Sequence, residues 1–67
     1  MTDTLADAYP REQARLRDLL TIYRDLGPIG AFGYAAISDV ASRADKAAAE
    51  GDTIAMIGLL QEMRGCE

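Results

Sequence analysis

The chain has 67 residues and a net charge of −4, from eleven acids and seven bases. It contains one Cys and no His, which excludes an internal disulfide, a histidine-bearing zinc site and a cysteine cluster. The acidic balance argues against nucleic acid as the main partner, since phosphate binding needs a positive face, and is compatible with a basic surface on another protein.

So short a chain forms one small domain, residues 1–67, and its core is thin. Twelve of its hydrophobic residues are alanines. A core of this size rarely supplies more than about 3–5 kcal/mol without a staple. With disulfide and metal excluded, oligomerisation is the remaining staple, and a homodimer is its commonest form. No apolar run approaches a membrane span. The start, Met1-Thr2-Asp3-Thr4, lacks the basic region of a signal peptide. A lone Cys fits a reducing compartment. The expectation is a cytoplasmic protein with no membrane partner.

Residues 1–8 read as a frayed lead-in. A helix is expected to begin at Tyr9-Pro10, since proline suits a first helical turn. Tyr9, Leu16, Leu19, Leu20, Tyr23 and Leu26 then hold one face of a 3.6-residue period. In heptad terms, positions 9, 16 and 23 share one seam site and 12, 19 and 26 the other, with Glu12 breaking the second. That face either packs into its own hairpin or forms a short dimer seam. Elsewhere on the helix, Arg15 and Asp18 are spaced to pair. Arg17 and Arg24 lie two turns apart, with no acid three or four residues from either. They are solvated charge or a partner contact.

Gly27-Pro28 stops this helix and opens the next, so the two meet at a short connection and run antiparallel. Counting about 100° per residue from Pro28, Ile29, Gly30, Gly33, Ile37, Val40, Ala41, Ala44, Ala47 and Ala48 fall in one arc. This predicts an early helix start, with Gly30 and Gly33 on a shallow face that Leu16, Leu20 and Tyr23 can fill. Phe32 falls outside the arc, on the side of Asp39 and Arg43, and Tyr34 lies at its edge. Phe32 either closes the core over Leu26 or Ile22, or it anchors a partner.

Gly51 stops the second helix, and Asp52 caps a third, from Thr53 to about Met63. Met56, Leu59, Leu60 and Met63 form its apolar stripe, with Ile57 at one edge. The fold class is therefore all-α, a helical hairpin plus a short third helix.

No catalytic constellation is visible. There is no His, Ser38 and Ser42 lack a base, and the carboxylates fall on polar faces. Gly27, Gly30 and Gly33 follow a helix rather than a strand and precede no Lys-Ser/Thr, so they do not make a phosphate loop. A recognition helix for DNA would need more than Arg43 and Lys46 against Asp39, Asp45 and Glu50. No cofactor or metal is expected. The candidate partner contacts are Phe32, Tyr34, Arg17 and Arg24. The candidate dimer or core contacts are Leu16, Leu20, Tyr23, Gly30, Gly33 and Ile37.

Several runs carry a resemblance across residues 9 to 67. They are Tyr-Pro-Arg-Glu, Leu-Leu-x-Ile-Tyr, Gly-Pro-Ile-Gly-Ala-Phe-Gly, Arg-Ala-Asp-Lys-Ala-x-Ala-x-Gly-Asp, Ile-Ala-Met and the closing Glu-Met-Arg-Gly-Cys-Glu. The chain resembles a family of small helical proteins of temperate phages and prophages of proteobacteria, and within it the quorum-sensing anti-activators of Mu-like Pseudomonas phages. That resemblance implies a small helical dimer in the bacterial host. It would bind a LuxR-type transcriptional activator, block its DNA binding, and also inhibit the ATPase that assembles type IV pili. No partner-contacting residue carries over position by position. The alternative is a small structural or assembly module of a phage.

Overall fold

A computed structural model describes residues 4–66. It contains three α-helices: α1 (Leu5–Asp25), α2 (Ala31–Glu50) and α3 (Thr53–Arg64). A single 3-10 turn, Gly27–Gly30, joins the first two, and the described residues include no strand. The all-α hairpin with a short third helix is the class that the periodicity predicts.

The first helix begins earlier than expected. Thr4 is its N-cap, with the Asp7 amide donating to Thr4 Oγ1 at 3.2 Å. Ala8 and Tyr9 are buried, so residues 4–8 belong to the folded unit and are not a frayed lead-in; residues 1–3 lie outside the described region. Pro10 therefore sits inside the helix, where its missing N–H removes the bond to the Ala6 carbonyl. Burial of the next-door Tyr9 holds the helix through this defect. Its side chain is 1% exposed, and its hydroxyl donates to the Ala44 carbonyl of α2 at 2.7 Å.

The second helix begins later than the early start at Pro28. Gly27 takes φ 67°, a left-handed conformation that stops α1, and Pro28 follows in the 3-10 turn. A 3-10 turn winds more tightly than an α-helix, so a residue inside it need not keep the phase of the α-helix that follows. Ile29 drops out of the expected apolar arc and is 90% exposed. From Ala31 onward the arc holds except at its end: Ile37, Ala44 and Ala47 are buried and Gly33, Val40 and Ala41 half-buried, but Ala48 is exposed.

The α2–α3 corner is a Schellman stop followed at once by a cap. The Asp52 amide donates to the Ala47 carbonyl at 3.0 Å and the Gly51 amide to Ala48 at 3.2 Å. Gly51 has φ 66°. The Asp52 carboxylate then accepts from the Ala55 amide at 3.1 Å and starts α3.

The core lies where all three helices meet. Tyr9 and Leu16 come from α1, Ile37, Ala44 and Ala47 from α2, and Leu59, Leu60 and Met63 from α3. Alanines at 44 and 47 let the larger side chains of α1 and α3 approach α2 closely. The first heptad row, Tyr9-Leu16-Tyr23, is thus occupied inside one hairpin and is not free to form a dimer seam. Polar links close the remaining edges. Gln13 Nε2 donates to Asp45 at 2.9 Å, between α1 and α2. Arg43 joins α2 to α3, its Nη1 and Nη2 donating to the two oxygens of Glu62 at 3.1 and 3.0 Å. Arg43 also pairs with Asp39 one turn back, at 2.9 Å.

Arg15 does not pair with Asp18 as its spacing allows. Its Nε donates to Glu12 at 2.8 Å, its Nη1 donates to the Cys66 carbonyl at 2.8 Å, and its Nη2 donates to the Met63 carbonyl. The guanidinium therefore closes the C-terminal end of α3, where unpaired carbonyls and the negative end of the dipole collect. The same contact explains Glu12 in the apolar row, since it holds the arginine that holds α3. Replacing Arg15 with Ala is expected to weaken α3 by about 1–2 kcal/mol. Amide exchange in Leu59–Arg64 should then speed up about tenfold or more relative to amides of α1; an equal acceleration throughout the chain would refute the latch.

Burial, and secondarily the Asp45 carboxylate, push the Tyr9 phenol above its ordinary value of 10.0. The folded chain keeps a proton that the unfolded chain releases near pH 10. Stability should therefore fall as pH rises through about 10 and continue falling until the folded phenol ionises. Urea midpoints measured from pH 8 to 11 should decline in the native chain and flatten in Tyr9→Phe.

Candidate protein interface at the hairpin tip

The turn between α1 and α2 carries no charge. No residue between Asp25 and Asp39 is ionisable as an acid or base near neutral pH. The net charge of −4 therefore resides in the rest of the chain; the turn and α2 as far as Ser38 are uncharged, and Arg24 and Asp25 close α1 beside them.

The length of α3 decides what is exposed there. It has 12 residues, against 21 in α1 and 20 in α2, and it starts at the end of the hairpin remote from the tip. Its C-terminal end is held at Arg15 and Arg43. On α1, Arg15, Ile22 and Leu26 are spaced i, i+7, i+11, so they lie on one line. On α2, Arg43, Asp39 and Phe32 follow the same rule in reverse. By that spacing the sides of α1 and α2 that face α3 run on past its end toward the tip as an open section. There its lining stays uncovered: Ile22 is 56% exposed, Leu26 51% and Phe32 88%. Asp18 and Asp25, both exposed, stand on the outer edge of α1 beside this open section.

The opposite flank of the tip carries a shallow cavity of about 340 Å³, lined by Tyr23, Arg24, Gly27, Pro28, Ala31 and Tyr34. Its floor exists because two glycines let α1 and α2 close tightly. A Cβ on Gly30 would stand 2.3 Å from the Tyr23 backbone oxygen, and one on Gly33 would stand 2.7 Å from the Tyr23 ring.

The residues singled out by the sequence thus separate into three groups. Arg24 and Tyr34 meet at the cavity, and Arg17 lies two turns below Arg24 on the same line of α1. Arg24 approaches Asp25 at 3.6 Å with both side chains well exposed, a contact that contributes little. Phe32 is on the other flank, and it does not close the core over Leu26 or Ile22. Leu16, Gly30 and Ile37 are buried and Leu20, Tyr23 and Gly33 half-buried, between helices of one chain. Any self-association uses other surfaces.

Ile22, Leu26 and Ile29 are the tip residues that the sequence assigned elsewhere or passed over. The signal for two of them was present in the spacing of Ile22 and Leu26 from Arg15. It could be read only once Arg15 was known to mark the end of α3. On α3, Ile54 and Ile57 form a further exposed apolar pair, remote from the tip. No helix is long and apolar enough to cross a membrane among the described residues. Comparison with protein-family models, curated proteins and solved structures gives no match.

Proposed function

We propose that this chain is a phage-encoded, non-enzymatic inhibitor that acts in the bacterial cytoplasm by binding a host protein directly. The partner would be a LuxR-type quorum-sensing activator, whose DNA binding it blocks, with the type IV pilus assembly ATPase as a second target. The observation that carries the reading is the uncharged segment from Leu26 to Ser38, where Ile29 and Phe32 are almost fully exposed on a chain of net charge −4. Apolar side chains so placed are candidate anchors, and an acidic body steers toward basic surfaces such as a DNA-reading face. The family resemblance supplies the class of partner.

The test is release of DNA. A purified LuxR-type activator on its operator should lose the shifted band as this chain is added at micromolar concentration. Phe32→Asp should not release it. A complex that persists through tens of micromolar of the native chain refutes the reading.

The homodimer belongs to the same proposal and rests on the small core. Sedimentation at micromolar concentration should give twice the 7.2 kDa chain mass. The exposed Ile54 and Ile57 offer a surface for it apart from the tip, and Ile57→Asp should then yield monomer. That second apolar surface also favours the alternative of a phage assembly module, for which capture from infected cells would yield morphogenesis proteins in place of a host regulator.

A further inference from the structure

The two flanks of the tip differ in what they can accept, and the open section of the α1–α2 groove is the more specific. Its closed half shows what fits: α3 lies in it with Leu59, Leu60 and Met63 buried against α1 and α2. The exposed apolar positions of the open half run from Ile22 to Leu26 on α1, about 7 Å along the helix. That is room for about one turn of a partner helix. Ile22 and Leu26 on one wall and Phe32 on the other would meet an apolar stripe, the usual mode of helix-in-groove recognition.

Charge selects the flanks of the occupant. Asp18 and Asp25 stand along the outer edge of the α1 wall. The arginines at the closed end are engaged, Arg15 with Glu12 and the end of α3, and Arg43 with Asp39 and Glu62. Asp25 is held only by the loose, exposed contact to Arg24. The open rim on α1 is therefore acidic, and the chain as a whole carries −4. A second copy of the chain would bring the same acidic rim and the same net charge to the groove, which disfavours it as the occupant.

We propose that this open groove binds a basic amphipathic helix of the partner protein, its apolar stripe on Ile22, Leu26 and Phe32 and its lysines or arginines over Asp18 and Asp25. The inference rests on the reading that the tip contacts a host protein, and it names the chemistry of the segment contacted.

The test uses the intact chain and three fluorescently labelled peptides. One is a helical peptide with a leucine stripe flanked by lysines. The second has glutamates in place of the lysines. The third keeps the lysines and replaces the leucines by serine. Anisotropy should show the lysine–leucine peptide binding about tenfold or more tighter than either of the others. Phe32→Asp, at an exposed site, should keep the helical circular dichroism and lose the peptide. Asp18→Lys with Asp25→Lys should transfer the preference to the glutamate peptide. Equal binding of both charge types, undiminished binding by Phe32→Asp, or equal binding of the serine peptide each overturns the proposal. So does a dimer of the free chain that Phe32→Asp dissolves, since a second copy would then occupy the groove. Operator release without the peptide preference sinks the groove inference alone. The peptide preference without operator release sinks the activator reading alone.

Discussion

Tyr9→Ala is expected to unfold the chain at room temperature. Tyr9 is among the largest fully buried side chains, and it reaches from α1 to the Ala44 carbonyl of α2. Truncating a buried aromatic to alanine costs about 3–5 kcal/mol, and here a hydrogen bond between the helices goes with it. That loss equals the whole of what a core this size supplies, about 3–5 kcal/mol. Alanine is also the wrong filler for the site. Its contact on α2 is Ala44, too short to collapse into the space. The mean residue ellipticity at 222 nm should fall to a small fraction of the native value. Tyr9→Phe separates the two contributions: it keeps the ring and loses the hydroxyl, and should cost about 1 kcal/mol while remaining folded. A folded Tyr9→Ala with near-native urea resistance would mean that the core is centred elsewhere.

Tyr9 also marks how far the sequence could be read. Its place on the apolar face of α1 follows from the spacing to Leu16 and Tyr23, and so do the hairpin and the buried row Ile37, Ala44 and Ala47. Each of those rests on a period of 3.6 within one helix, which is a local property. The misplaced features depend on contacts between elements. Thr4 caps α1 early because Ala8 and Tyr9 find a surface on α2, and that surface lies some 35 residues away in sequence. Pro10, taken for a first-turn residue, is tolerated inside a helix for the same reason. The partner of Arg15 lies on α3, which no spacing rule within α1 can show. The candidate interface was visible in part: Phe32 stood out as an apolar residue on a polar face. Its companions Ile22, Leu26 and Ile29 did not, because their exposure follows from where α3 ends and from the tighter winding of the 3-10 turn that holds Ile29.

Gly30→Ala should be the most damaging single-methyl addition in the chain. At Gly30 the backbone is ordinary, with φ −86° and ψ −3°, so alanine carries no conformational penalty there. The obstacle is steric, since the new Cβ would lie 2.3 Å from the Tyr23 carbonyl oxygen and 3.0 Å from Leu26 Cβ. Neither neighbour is the end of a flexible side chain, so the α1–α2 crossing itself must open. Overpacking of this kind costs about 1–3 kcal/mol, and a backbone obstacle places it at the upper end. At several degrees per kcal/mol for so small a domain, the thermal midpoint should drop by about 10 °C or more. Gly33→Ala presents a contrast. Its Cβ would meet the Tyr23 ring at 2.7 Å, but the obstacle is a side chain rather than the backbone. Alanine also improves helix propensity by roughly 1 kcal/mol in the first turns of α2. The two effects nearly cancel, so Gly33→Ala should stay within about 1 kcal/mol of native, while Gly33→Leu forces the ring out and destabilises clearly. Thermal melts of the three variants should therefore rank Gly33→Ala above Gly33→Leu, with Gly30→Ala far below native. A Gly30→Ala chain as stable as native would place a gap between α1 and α2 where the structure has contact, and would remove the basis for the tip geometry.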